Sequence, residues 1–129
     1  ELQELENVIL TPHIGGSTEE AQESIGHEVA ESFLRFLKYG ATTGSVNFPI
    51  LDVNDPRGAT RVLNIHRNVP GVLSSINSII SEFGGNIVGQ HLATDSNVGY
   101  LITDLEIKEA KKAAEKIAQL STSIRTNVI

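Results

Sequence analysis

The chain has 129 residues, 40% of them hydrophobic and 20% charged, with four His and no Cys, Met or Trp. This is the composition of an ordinary globular domain, or of a small domain plus a piece of another, and it excludes disulfides, thiolate metal sites and a cysteine nucleophile. A net charge of −6 argues against nucleic acid, no apolar run approaches the roughly 20 residues of a membrane span, and no signal-peptide pattern opens the chain, so a cytoplasmic protein without nucleic-acid or membrane partners is expected.

The charge is unevenly spread. Residues 1–58 hold ten acids and three bases, whereas residues 59–129 hold six acids and seven bases, so two units of different character meet near position 58. The chain opens without Met on an acidic, helix-like segment, Glu1 to Glu6, and reads as a C-terminal fragment of a longer protein.

Val8-Ile9-Leu10 is too short for a helix and is expected to be a strand, followed by a loop at Thr11-Pro12-His13-Ile14-Gly15-Gly16, where Pro and the paired Gly oppose regular structure. Ser17 and Glu20 form an S-x-x-E capping box, and Ile25, Val29, Phe33 and Leu37 repeat every fourth residue until Gly40. A helix of about 20 residues follows from that pattern. The stretch 41–59 is rich in Pro, Gly, Asp and Asn and reads as a linker.

Beyond it the period changes. Val62, Asn64 and His66 alternate with Leu63 and Ile65, the pattern of a half-buried strand. Asn68-Val69-Pro70-Gly71 ends it and opens a helix carrying Val72, Leu73, Ile76, Ile79, Ile80 and Phe83, which Gly84-Gly85 closes. Strands are expected over 86–94 and 98–107 around the turn Asp95-Ser96-Asn97, then a helix over 108–120 and a strand over 124–129. The order βαββαβ predicts an α+β, ferredoxin-like domain: a four-stranded antiparallel sheet with both helices on one face.

Two places draw chemical interest. His13 stands in a Gly-rich turn directly after a strand, where ligand-contacting groups collect and an imidazole acts as general acid or base; the alternative is a plain loop histidine. His66 and Asn68 stand at the mouth of a helix, where free N–H groups attract carboxylates and phosphates, and Asn86 offers a second amide; here the alternative is a helix cap and a turn residue. His27 and His91 form no cluster with metal-ligand spacing, and Lys108, Lys111, Lys112 and Lys116 read as a solvated helix face. No dinucleotide fingerprint, phosphate loop or nucleophile elbow occurs.

The run Glu6-Asn7-Val8-Ile9-Leu10-Thr11-Pro12-His13-Ile14-Gly15-Gly16-Ser17-Thr18-Glu19-Glu20-Ala21-Gln22 resembles the end of the catalytic region of the D-3-phosphoglycerate dehydrogenases, within the D-2-hydroxyacid dehydrogenases. Residues 60–129, with Ile65-His66-Arg67-Asn68-Val69-Pro70-Gly71-Val72-Leu73 and Gly85-Asn86-Ile87, resemble the ACT domain of the short, serine-regulated form. The resemblance implies three parts: 1–40 as a strand-loop-helix remnant of an α/β dehydrogenase domain carrying the NAD and substrate region, 41–59 as linker, and 60–129 as the ACT regulatory domain.

It further implies an enzyme that oxidises 3-phosphoglycerate with NAD in L-serine biosynthesis. His13 would be its catalytic acid/base, the backbone His13, Ile14, Gly15 and Gly16 would lie against the nicotinamide, and the fragment alone would be inactive. His66, Asn68 and Asn86 would bind L-serine for feedback inhibition, at a joint where two ACT sheets of a homo-oligomer meet edge to edge. A structural oligomerisation module without ligand, or an ACT domain for another amino acid, are the other readings. The family's Gly-Gly hinge is here Gly58-Ala59, so hinge freedom is expected to be reduced or shifted.

Overall fold

The computed structural model describes residues 4–129. Of the acidic opening segment, residues 1–3 lie outside the described residues, and Leu5 to Val8 form a turn closed by Val8 N–H donating to the Leu5 carbonyl at 3.2 Å. The strand expected at Val8–Leu10 is not formed. A strand exists only where a neighbour takes its backbone hydrogen bonds, and among the described residues this run has no ladder partner.

Helix α1 spans Glu19–Tyr39. Its cap is Thr18 rather than Ser17: the Thr18 hydroxyl accepts from Ala21 N–H at 3.2 Å, three residues on, while Ser17 N–H is used by the preceding turn, donating to the Ile14 carbonyl at 3.0 Å. Gly40 ends the helix at φ 74°, its N–H returning to the Phe36 carbonyl, a conformation glycine reaches without a Cβ penalty. No α1 residue is buried; the stripe of Ile25, Val29, Phe33 and Leu37 faces outward, with Leu37 67% exposed.

The remaining elements are β1 (Thr60–Arg67), α2 (Val72–Glu82), β2 (Asn86–Thr94), β3 (Val98–Glu106), α3 (Ala110–Ala118) and β4 (Ser123–Val128). They form one sheet in the order β2-β3-β1-β4, antiparallel throughout, with β1 and β3 central. This is the expected ferredoxin-like arrangement, with α3 shorter at both ends than its apolar pattern suggests and with Pro70 standing just before the α2 N-cap, Gly71, rather than at the first helical position. Val72, Ile76, Ile79 and Ile80 of α2 and Ala114 and Ile117 of α3 pack on Val62, Leu101 and Leu105, so both helices share one face. Among the described residues no helix is long and apolar enough to cross a membrane.

Strand β1 is buried on both faces, not on one. Leu63 is buried beneath residues of the 41–53 stretch, where Ala41 and Val53 join Leu63, Tyr100 and Ile102 in a second core flanked by Tyr39, Phe48, Leu51 and Ile65. The Phe48 and Tyr100 rings meet with centroids 5.2 Å apart at 59°, a tilted packing favoured by aromatic quadrupoles. The segment is irregular, yet it is a second layer of the fold. Its own polar groups are met locally: Thr42 Oγ1 donates to the Pro49 carbonyl and accepts from Leu51 N–H, both at 2.8 Å.

Arg61 binds this layer to the sheet. Its Nη1 donates to the Tyr39 carbonyl at 2.7 Å and the Asn54 carbonyl at 2.8 Å, while Tyr100 OH donates to the Gly40 carbonyl at 2.7 Å. The C-terminal carbonyls of a helix have no partners within it, so these bonds fasten the end of α1 to the centre of the sheet. In the turn ahead of β1 the left-handed residues are Arg57 (φ 54°) and Gly58 (φ 89°). Ala59 is not among them, so its side chain brings no backbone strain here.

Candidate functional site

His66 ends the helix-facing side of β1, opposite Gly99 in the β1–β3 register. The ring lies over that glycine: a Cβ at Gly99 would stand 2.6 Å from His66 Nε2. His66 is 3% exposed. Its Nδ1 is 3.0 Å from the Arg67 carbonyl, so Nδ1 is the donor of that bond, because a carbonyl can only accept. Its Nε2 is buried without a hydrogen-bond partner, a state that costs on the order of 1–3 kcal/mol. Asn64, two residues back on the same face, donates through Nδ2 to Ser123 Oγ and Thr126 Oγ1, each at 2.9 Å, and leaves its Oδ1 equally unpartnered.

Asn68 stands past the end of β1, exposed. Its Nδ2 donates to the Asp95 carbonyl at 2.7 Å and its backbone N–H donates to the Asn97 carbonyl at 2.9 Å, so the side chain is tied to the β2–β3 hairpin rather than capping α2. The hairpin is itself held by Asp95, whose Oδ1 accepts from the Asn97 and Val98 N–H groups at 2.7 and 2.8 Å. Those two backbone hydrogen bonds hold the Asp95 carboxyl below its ordinary value of 3.8. The N-terminus of α2 beside Asn68 begins at Gly71, which has no side chain to cap it, and its first amides form a positive, donor-rich mouth.

Asn86 opens β2 at the opposite end of the sheet. It pairs with Glu106, whereas His66 pairs with Gly99; from Gly99 to Glu106 along β3 is about 23 Å at a strand's rise of about 3.3 Å per residue. Within one chain the structure therefore brings His66 and Asn68 to one end and leaves Asn86 at the other. Asn86 Nδ2 donates to Glu106 Oε2 at 3.0 Å. Strand β2 is an edge, with no residue fully buried along it and with Ile87, Val88 and Leu92 exposed.

His13 lies on an exposed turn between Pro12 and Ser17, shaped by Ile14 N–H donating to the Pro12 carbonyl at 2.9 Å. Gln22 donates from its side chain to the Gly16 carbonyl, closing the turn onto α1. Ile14 is exposed and the space beside Gly15 is open, so His13, Ile14, Gly15 and Gly16 present one backbone edge and no enclosing cleft. An open edge of this kind cannot by itself hold a dinucleotide. Among the described residues no group of three His, Asp or Glu is placed to hold a metal ion; His91 is exposed on β2, and His27 lies 4.0 Å from Glu23 on the outer surface of α1.

Sequence reasoning missed three contributors, two at the His66 end of the sheet and one at the Asn86 end. Gly99 makes room for the His66 ring, the Asp95 carbonyl orients Asn68, and Glu106 orients Asn86. The Asp95 turn was visible as a hairpin signal, but each partner assignment needs the strand register.

Residues 63–125 match the family described as the AHAS small subunit-like ACT domain. The whole chain is 50% identical over 129 residues to a D-3-phosphoglycerate dehydrogenase of Dictyostelium discoideum, covering 100% of this chain and 31% of that protein. It is 45% identical over 128 residues to the D-3-phosphoglycerate dehydrogenase of Haemophilus influenzae, covering 99% and 31%, and 43% identical over 136 residues to D-3-phosphoglycerate dehydrogenase 2 of Saccharomyces cerevisiae, covering 100% and 29%. The chain thus spans about a third of the length of the curated relatives it matches. Among solved structures, the ACT domain from GTP pyrophosphokinase of Chlorobium tepidum has a TM-score of 0.49 at 14% identity, covering 54% of this chain and 95% of that one. The chain therefore carries an ACT-like domain and is, over its whole length, a homologue of part of the D-3-phosphoglycerate dehydrogenases.

Proposed function

We propose that this chain is the regulatory part of an NAD-dependent D-3-phosphoglycerate dehydrogenase and that its ACT-like domain binds L-serine as a feedback inhibitor, in a cytoplasmic homo-oligomer. The observation that carries the reading is the position of Asn86 at one end of the exposed edge β2, with Asn68 at the other end of the same sheet. Pairing through β4 would leave Asn86 on the far edge, three strand spacings or about 14 Å from the joint. Pairing two β2 edges antiparallel about a two-fold axis removes the separation along the strands. The partner subunit's Asn86 then approaches the Thr94 end of β2, beside the hairpin that holds Asn68.

Such a joint suits a zwitterion. The α2 mouth supplies N–H groups for a carboxylate, the two amides supply oxygens for an ammonium, and the buried, unpartnered Nε2 of His66 is a polar atom that a hydroxyl, donor and acceptor at once, would satisfy. A ligand shared by two chains restricts their relative motion, which is how binding energy at the joint reaches a distant active site. In the complete enzyme His13 would exchange a proton with the substrate hydroxyl, and the backbone of Ile14, Gly15 and Gly16 would line the nicotinamide end of NAD. NAD supplies the hydride acceptor; the residues that enclose it lie outside this chain.

Titration calorimetry of the purified chain with L-serine and with glycine tests the reading. Saturable serine heat in the micromolar to millimolar range, a solution mass of at least a dimer, and loss of the heat in Asn86→Ala with the dimer retained support it. No heat with any amino acid leaves a purely structural sheet-pairing module, and heat with a different amino acid reassigns the effector.

A further inference from the structure

The cross-strand pair of Asn86 and Glu106 decides which atom of the amide is on offer. Asn86, the first residue of β2, faces Glu106, the last of β3, in register, and its Nδ2 lies 3.0 Å from Glu106 Oε2. A carboxylate has only acceptor oxygens, so it draws the amide NH2 towards itself and turns the carbonyl Oδ1 the other way. Among the described residues Asn86 Oδ1 has no hydrogen-bond partner. Asn68 is set by the same logic, its Nδ2 directed at the Asp95 carbonyl, which also can only accept.

We infer that Glu106 is a positioning residue that presents the carbonyl oxygen of Asn86, and not its NH2, to the effector, so that the site selects ligands bearing an ammonium group over hydroxy acids of the same shape. This rests on the reading above that Asn86 contacts an amino acid. An ammonium has only hydrogens to donate and a carbonyl only lone pairs to accept, so they match; the hydroxyl of a hydroxy acid is neutral and makes the weaker bond. With the amide turned over, two donors would face each other and the preference for the ammonium would vanish.

The test compares L-serine with L-glycerate by titration calorimetry on the full chain and three variants. In Glu106→Gln the side-chain carbonyl still accepts from Asn86 Nδ2, and serine affinity stays within about threefold of the parent. In Glu106→Lys the ammonium draws Oδ1 inward, and serine affinity falls by about tenfold or more, the scale of one lost charge-assisted bond, while glycerate binding changes by less. Melting temperatures separate this from a merely structural role, since an exposed cross-strand pair moves stability little. Serine binding that is abolished by Asn86→Ala but unchanged by Glu106→Lys overturns this inference and leaves the effector reading standing. Losses in Glu106→Gln and Glu106→Lys that scale with the change in charge and fade at high salt overturn it in favour of a simple charge effect. Absence of serine binding in the parent chain overturns both.

Discussion

Arg61 and Asp104 face each other across β1 and β3 as a bidentate pair, Nε to Oδ1 at 2.6 Å and Nη2 to Oδ2 at 2.7 Å, with the Arg61 side chain 2% exposed. The remaining guanidinium nitrogen spends its hydrogens on the carbonyls of Tyr39 and Asn54. One side chain thus joins a helix end, an irregular layer and two central strands. Arginine suits that post because its planar fork holds several acceptors at once and stays charged.

Removing one partner leaves the other charge buried. Arg61→Met is expected to cost about 3–5 kcal/mol, and Asp104→Leu a comparable amount, while the double variant Arg61→Met/Asp104→Leu, an apolar pair, costs less than the two together. Chemical denaturation of the four proteins of this cycle measures the coupling. Additive losses would show that the pair is not a unit.

Gly99 is required by the ring that lies over it. In Gly99→Val the new side chain overlaps the His66 imidazole, whose Nε2 would be 2.6 Å from the Cβ alone, and the overpacking is expected to cost about 1–3 kcal/mol. The His66 ring must also turn, so its carbon-bound proton resonances should shift more than those of His13 or His27. An unchanged His66 spectrum in a folded Gly99→Val protein would contradict this packing.

Tyr100 keeps its proton far into the alkaline range. Burial of its ring raises the phenol from 10.0 to about 12, only partly opposed by the charge of Arg61. The folded value lies above the unfolded one, so the contribution of the protonated phenol is complete below pH 10.0 and is lost as the pH rises through about 12. Tyr100→Phe removes the donor to the Gly40 carbonyl, and the orphaned acceptor costs about 1–3 kcal/mol at neutral pH. That difference between parent and variant should shrink steadily between pH 10.0 and about 12, as read from urea midpoints.

The Asp95 turn responds to acid. Two backbone N–H bonds, from Val98 first and Asn97 second, hold its carboxyl below 3.8. With the folded value depressed, the turn's contribution is present above 3.8 and is lost as the pH falls through the depressed value. Amide exchange at Asn97 and Val98 should accelerate selectively in that window, and the Asn68 side chain, tied to the Asp95 carbonyl, should loosen with them. Asp95→Asn should lack the acid step; if it keeps it, another carboxylate is responsible.

The helices and the order βαββαβ were legible because an apolar stripe repeats with the period of its element, and a stripe survives any tertiary setting that covers it. The strand read at Val8–Leu10 shows the limit of that argument: local preference names a candidate, but a ladder requires a neighbour, and none is present among the described residues. The 41–53 layer shows the reverse case. Its Pro, Gly and Asn correctly announce irregular backbone, yet no period announces that Ala41, Val53 and Phe48 cover the second face of the sheet.

At the candidate site the residue types were readable and their partners were not. His66, Asn68 and Asn86 stand out as polar groups beside turns and a helix mouth, which is information carried within a few residues of each. That Glu106 turns the Asn86 amide, that Asp95 turns the Asn68 amide, and that Gly99 accepts the His66 ring depends on contacts between residues 20 to 33 positions apart, set by strand register. Sequence alone determined which segments become strands and helices and where chemistry-bearing side chains fall along them. Only the tertiary structure decided which atoms those side chains present, because hydrogen bonds from distant strands choose the direction each amide and imidazole must face.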